Sequence, residues 1–179
     1  MLKSEDSVLI IADVQGRLAH AMYEKERLFE HLSKLIQGVR VLGVPILWVE
    51  QNPDGLGPTI PEVADLLPDL TPIPKFSFSC CGCELFLQAF RALDRRQVLI
   101  AGIEAHVCVY QTAMELLEQG LEVQVVSDAV SSRTPENREI GLGRIRDAGG
   151  MVTSTEMALF EMLQTVEGPQ FKEMLSIVK

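Results

Sequence analysis

No stretch of the 179 residues offers roughly 18 uninterrupted apolar positions, so no segment reads as a membrane-spanning helix. The opening Met1-Leu2-Lys3-Ser4-Glu5-Asp6 lacks the basic-then-apolar layout of a secretory leader, and a cytoplasmic location is expected. Positive charge is scarce: 16 Lys and Arg against 25 Asp and Glu leave a net charge of −9, which repels a phosphate backbone and argues against nucleic acid as a partner. Of the four cysteines, Cys80, Cys81 and Cys83 are clustered and Cys108 stands apart, too sparse a set for a secreted disulfide framework; reduced thiols are expected. No second Cys/His pair has zinc-site spacing, and no G-x-G-x-x-G follows the first apolar run, so neither a structural zinc nor a dinucleotide cofactor is expected.

What is present is an alternation of short apolar runs and amphipathic stretches. Ser7–Ala12, Pro45–Glu50, Thr71–Lys75, Gln97–Gly102, Glu122–Val126 and Met151–Thr153 read as strands, the longer runs apolar enough to be buried on both faces. Between them, Leu28, Leu32, Leu35, Ile36 and Val39 recur at helical spacing over 24–42, and further helices are expected over 84–93, 107–119, 135–148, 155–163 and 169–178. The proline-dense segment Asn52–Pro74 reads as loop with a short helix at 61–67, and Asp128–Arg133 as a second loop. The pattern predicts one α/β domain over 1–179, a three-layer α/β/α sandwich around a six-stranded parallel sheet of Rossmann-like type. Open sheets of this kind bind ligands beyond the carboxyl ends of their strands, so chemistry is sought there.

Three strand ends carry reactive groups. Asp13 directly follows the first strand, where burial would raise its pKa and a neighbouring cation would lower it. Cys108 lies in the turn from the fourth strand into a helix, a position that favours a thiolate and leaves free amides to hold an oxyanion. Lys75 follows Pro72-Ile73-Pro74 at the end of the third strand. Taken singly, each has a bland reading as helix-capping Asp, core cysteine or solvated lysine. Together they are the parts of nucleophilic acyl transfer: base, nucleophile and electrostatic stabiliser.

Four segments, in order, resemble the isochorismatase-like cysteine hydrolases: Ile10-Ile11-Ala12-Asp13-Val14-Gln15, Pro74-Lys75-Phe76-Ser77-Phe78-Ser79, Gly102-Ile103-Glu104-Ala105-His106-Val107-Cys108-Val109 and Asp128-Ala129-Val130-Ser131-Ser132-Arg133-Thr134. The resemblance covers about Val8 to Phe160 and implies the same three-layer fold. It maps the catalytic Asp, Lys and Cys onto Asp13, Lys75 and Cys108, and implies a cis peptide at Ile103–Glu104, with the amides of Glu104 and Cys108 forming the oxyanion site. Gln51-Asn52-Pro53-Asp54-Gly55-Leu56-Gly57-Pro58-Thr59 looks like the isochorismatase domain-containing branch. It lacks the Asp-x-His pair and further His with which nicotinamidases bind a metal, since His20, His31 and His106 lie elsewhere. The resemblance therefore implies no catalytic metal or other cofactor. Cys108 argues against vinyl-ether cleavage by the true isochorismatases, which lack that cysteine. The implied reaction is hydrolysis of a small amide or related C–N bond through a thioester acyl-enzyme, by an enzyme whose subunits associate into a homo-oligomer.

Gln15, Trp48, Phe76 and Phe78 are candidate pocket residues, each with core packing or a turn position as its alternative. Two rival functions remain. Cys80-Cys81-Gly82-Cys83 has a C-x-x-C spacing that could serve thiol redox chemistry through Cys80 and Cys83, and the chain could be a non-catalytic oligomeric binding protein.

Overall fold

A computed structural model describes residues 1–179. The chain runs β1 (Ser7–Ala12), α1 (Gly16–His20), α2 (Lys25–Val41), β2 (Ile46–Gln51), α3 (Pro53–Leu56), α4 (Pro61–Ala64), β3 (Ile73–Lys75), α5 (Glu84–Leu93), β4 (Gln97–Ile103), α6 (Tyr110–Glu118), β5 (Glu122–Ser131), α7 (Pro135–Asp147), β6 (Met151–Thr153), α8 (Thr155–Leu163) and α9 (Pro169–Val178). A 3₁₀ turn at Cys80–Gly82 precedes α5, and a π-helical turn at Ala105–Val109 joins β4 to α6. All strand pairs are parallel in the order β3-β2-β1-β4-β5-β6, so the strand order reverses between β1 and β4.

Successive residues of a strand point to opposite faces, and here both faces are covered. Leu9 and Ile11 of β1 with Leu99, Ala101 and Ile103 of β4 pack on one side against α2 and α8. Val8, Ile10 and Ala12 with Val98 and Ile100 face α5, α6 and α7 on the other. This explains why the two central strands read as unbroken apolar runs. The proline in β3 is tolerated because β3 is an edge strand, where one side needs no ladder donor.

The structure departs from the sequence reading in three places. The segment expected to be a loop after 126 is the second half of β5. Its register against β4 slips between Ile100 and Gly102, and pairing resumes with Gly102 opposite Val130 and Ile103 opposite Ser131. The extra residues carry Asp128, whose Oδ1 accepts from both the backbone N–H and the hydroxyl of Thr155 and so ties the irregularity to the start of α8. The helix expected over 107–119 begins instead as the π-helical turn containing Cys108. The proline-dense segment holds α4 within the short helix expected over 61–67 and, in addition, the one-turn helix α3, too brief for periodicity to register.

Gly102 fixes how closely β4 approaches β1. Its φ is +109°, and a Cβ there would lie 2.1 Å from the Ala12 carbonyl oxygen, a backbone atom that cannot move aside. Replacement by alanine therefore combines a disfavoured backbone conformation with a clash at the sheet centre. Gly102→Ala is expected to lower unfolding free energy by about 2–4 kcal/mol, read from the urea midpoint at unchanged slope; a loss below the error of that measurement would show the contact to be unimportant.

Candidate active site

Beyond the carboxyl ends of β1 and β4, where the strand order reverses, lies a cavity of about 210 Å³. It is lined by Asp13, Leu18, Gln51, Leu56, Phe78, Ile103, Glu104, Val107 and Cys108. The first residue past β1, Asp13, sits at φ +58°, a left-handed conformation that Asp tolerates better than most residues. The chain turns there, and the Gln15 N–H donates to the Asp13 carbonyl at 2.8 Å.

Lys75 ends β3, two strands from β1, and strands lie roughly 4.8 Å apart. Its four-carbon stem crosses the end of β2, where Nζ donates to Gln51 Oε1 at 2.8 Å, and reaches Asp13 Oδ2 at 2.8 Å. The carbonyls of Ser77 (3.2 Å) and Phe78 (2.9 Å) complete the ammonium's surroundings. The side chains of Lys75 and Asp13 are 0% and 2% exposed, so this is a fully buried ion pair. Burial pushes the Asp13 carboxyl above its ordinary 3.8, while Lys75 and the Cys108 thiol act in the opposite direction. Burial alone would lower Lys75, but the Asp13 carboxylate, together with Cys80 and Cys108 nearby, outweighs it and holds Lys75 above 10.5, a cation.

The Lys75 contact occupies Asp13 Oδ2. Oδ1 is buried and accepts no hydrogen bond of standard geometry. The thiol of Cys108 lies close enough to this carboxylate to affect its proton affinity as a hydrogen-bonding neighbour, and the reverse holds for the thiol. Burial pushes Cys108 well above an ordinary thiol, Asp13 adds to the rise and Lys75 opposes it. The expected thiolate-favouring position is therefore corrected: Cys108 is buried in a π-helical turn beside a carboxylate, and both features keep it a neutral thiol.

Before that turn the Ile103–Glu104 peptide is cis, as the family resemblance implied. The Glu104 carbonyl accepts from Val107 and Val109, whereas its N–H has no acceptor within the protein. The Glu104 carboxylate accepts from the Arg133 backbone N–H at 3.0 Å and from Nε at 3.2 Å, both on Oε2. Helix α7 packs close over the turn because Gly141 lacks a Cβ, which would lie 2.6 Å from the Ala105 carbonyl oxygen.

Of the four expected pocket side chains, only Phe78 lines the cavity. Trp48 packs in the core, and its Nε1 donates to Thr59 Oγ1 at 2.8 Å; that hydroxyl in turn donates to buried Glu50. Phe76 is 75% exposed, because chain alternation turns it outward next to inward-facing Lys75. Gln15 is fully buried and acts as a backbone clamp. Its Nε2 donates to the carbonyls of Gln51 and Gly57, and its Oε1 accepts from the Gln51 N–H. Gln51 escaped the sequence reading although it stands at a strand end, the signal that marked Lys75. Leu18 and Leu56 come from the short helices α1 and α3.

The histidines lie elsewhere: His20 is edge-on to Phe29, His31 faces Asp128, and His106 contacts Ser132. The C-x-x-C pair is poorly placed for redox chemistry. Cys80 is fully buried, which pushes its thiol up to about 12 and away from the reactive thiolate.

Residues 7–157 match the isochorismatase domain family. Isochorismatase domain-containing protein 2 of Danio rerio is 36% identical over 178 residues, covering 99% of this chain and 89% of that protein. A solved structure described as the MAR1 ribonuclease of Caenorhabditis elegans is 34% identical, with a TM-score of 0.92 over 99% of this chain and 91% of its own. The YcaC gene product of Escherichia coli, described as an octameric hydrolase of unknown specificity, shares the fold at 22% identity and a TM-score of 0.92, over 98% of this chain and 89% of its own.

Removing the cation should expose the cost of the buried carboxylate. In Lys75→Met, Asp13 is left buried without its partner, and a loss of about 3–5 kcal/mol is expected at neutral pH. Because the native Asp13 pKa lies above its unfolded value, ionisation costs stability as pH rises past 3.8, and more so in the variant. The deficit relative to the parent protein should thus shrink on acidification toward pH 4; urea titrations that show a pH-independent deficit would contradict this assignment. With the site's geometry and the full-length similarity together, the chain belongs to the isochorismatase-like hydrolase family.

Proposed function

We propose that this protein is a cysteine hydrolase that cleaves a small amide through a thioester on Cys108. The observation that carries the reading is the free Oδ1 of Asp13: Lys75 occupies the other carboxylate oxygen and leaves one buried acceptor beside a neutral thiol. A thiol that stays protonated at rest needs a base as it attacks, and Asp13 is in position to take its proton. Lys75, walled off from the cavity, acts through Asp13 by fixing its orientation and charge.

In the first step sulfur adds to the amide carbon, and the developing oxyanion is met by the backbone amides of Glu104 and Cys108. Collapse expels the amine, which carries off the proton taken from sulfur and leaves Cys108 as a thioester. Water then attacks the thioester carbon with Asp13 again accepting a proton, and collapse returns the thiol and releases the acid. The cavity, about the liquid volume of seven waters, suits an acyl group of that order of size.

A ribonuclease reading, raised by the description of the C. elegans relative, fits this chain less well. Its net charge is −9, and the cavity wall contains two carboxylates and no cationic side chain. Association into a homo-oligomer is supported by the exposed Phe76 and Phe78 near the site, which subunit contact would cover, and by the octamer described for the E. coli relative.

The test is alkylation of each cysteine against pH, resolved by peptide mass, together with intact-mass detection of a Cys108 acyl adduct during turnover of a panel of small amides. Alkylation of Cys108 is expected to depend on Asp13, falling on acidification through a midpoint above 3.8, and to be slowed about 10²-fold or more in Asp13→Asn. Cys108→Ala should show no acyl adduct. Alkylation confined to Cys80, Cys81 and Cys83, with Cys108 inert, would overturn the reading.

A further inference from the structure

The charges around the cavity point to a substrate class within the proposed amide chemistry. Only two of the nine lining residues are ionisable acids, Asp13 and Glu104, and no lysine or arginine lines the wall. The nearby cations are committed. Lys75 has a fully buried side chain and four acceptors within 3.2 Å for its three N–H groups. Arg133 grips Glu104 Oε2, but its side chain is 60% exposed, so water screens its charge, whereas the Glu104 side chain is only 9% exposed.

The polar lining group Gln51 is partly committed: its Oε1 accepts from Lys75 and one N–H of its Nε2 donates to the Phe76 carbonyl, which leaves at most one neutral amide donor for the cavity. Leu18, Leu56, Phe78, Ile103 and Val107 supply the remaining wall beside Cys108. A carboxylate on the acyl group would lose its hydration without gaining a cationic donor and would face the Glu104 carboxylate, whose partner Arg133 is screened by water, whereas the Asp13 charge is offset by buried Lys75. The amides of Glu104 and Cys108 are reserved for the oxyanion at the reacting carbon.

We propose that the pocket selects electrically neutral, largely apolar acyl groups and rejects those carrying a carboxylate, with Glu104 as the residue that sets this preference. The inference rests on Cys108 being the nucleophile, as proposed above. Glu104 contributes twice, its backbone N–H at the reacting carbon and its side chain on the wall. Arg133 moderates the side-chain charge from outside.

Two alkylating reagents with the same leaving group test this: neutral iodoacetamide and anionic iodoacetate. Their rate ratio is measured by peptide mass at Cys108 and at half-buried Cys83, which carries the same overall protein charge and corrects for intrinsic reactivity. The ratio favouring iodoacetamide is expected to be about tenfold or more larger at Cys108. It should fall toward the Cys83 value in Glu104→Gln and widen in Arg133→Ala, an exposed change that leaves Glu104 in place. Equal ratios at the two cysteines, or preference for iodoacetate at Cys108, would overturn charge selection and leave the nucleophile intact. Ratios unmoved by either variant would remove Glu104 from the role. Failure of Cys108 to react with both reagents while Cys83 is modified would instead remove the nucleophile, and this inference with it.

Discussion

A lysine ammonium and an aspartate carboxylate 2.8 Å apart, both shut off from solvent, set the terms for everything around them. Neither ion could be buried alone, because the loss of hydration is repaid only by close opposite charge and by hydrogen bonds to every remaining group. The surrounding structure supplies those bonds unequally. Lys75 is saturated by Gln51 and the carbonyls of Ser77 and Phe78, which draws the segment after β3 over the sheet edge. Asp13 is left one donor short, with Oδ1 an unfilled acceptor. The asymmetry matters more than the pair itself, since an unsatisfied buried carboxylate oxygen beside a thiol is costly for stability and useful for moving a proton.

Around that pair, several polar side chains serve the backbone rather than the substrate. Gln15 clamps the ends of β1 and β2 to the loop at Gly57, and Thr59 links that loop to Glu50 and Trp48. These bonds stiffen a proline-dense segment that has little regular structure of its own, and they hold Leu56 against the cavity. Rigid placement of this kind would suit the proposed action on a small acyl group, because small substrates offer few contacts with which to pull a mobile wall into position.

Glu104 shows how a single residue couples fold to site. Its carbonyl closes the π-helical turn, its N–H faces away from any protein acceptor, and its carboxylate reaches Arg133 just beyond β5. The register slip in β5 is what brings Val130 and Ser131 level with the end of β4, so that Arg133 can meet Glu104. The irregular strand therefore positions the charge of the pocket wall.

The sequence by itself determined the layered α/β fold, because unbroken apolar runs require a sheet covered on both faces, and it marked Asp13, Lys75 and Cys108 as strand-end residues. The helices over 25–41, 84–93, 135–147, 155–163 and 169–178 were legible for the same reason, being long enough for periodicity and caps to register. Tertiary structure alone decided which side chains meet. A strand end does not tell that Lys75 crosses β2 to reach Asp13, or that Gln51 stands on its path. Aromatic character leaves pocket and core both open for Phe76 and Trp48; alternation sends Trp48 into the core and Phe76 outward, into neither. Protonation was also beyond the sequence: position at a helix start favours a thiolate, but burial beside a carboxylate reverses that preference for Cys108. Local sequence encodes which way the chain runs, while burial and charge depend on what every other segment places nearby.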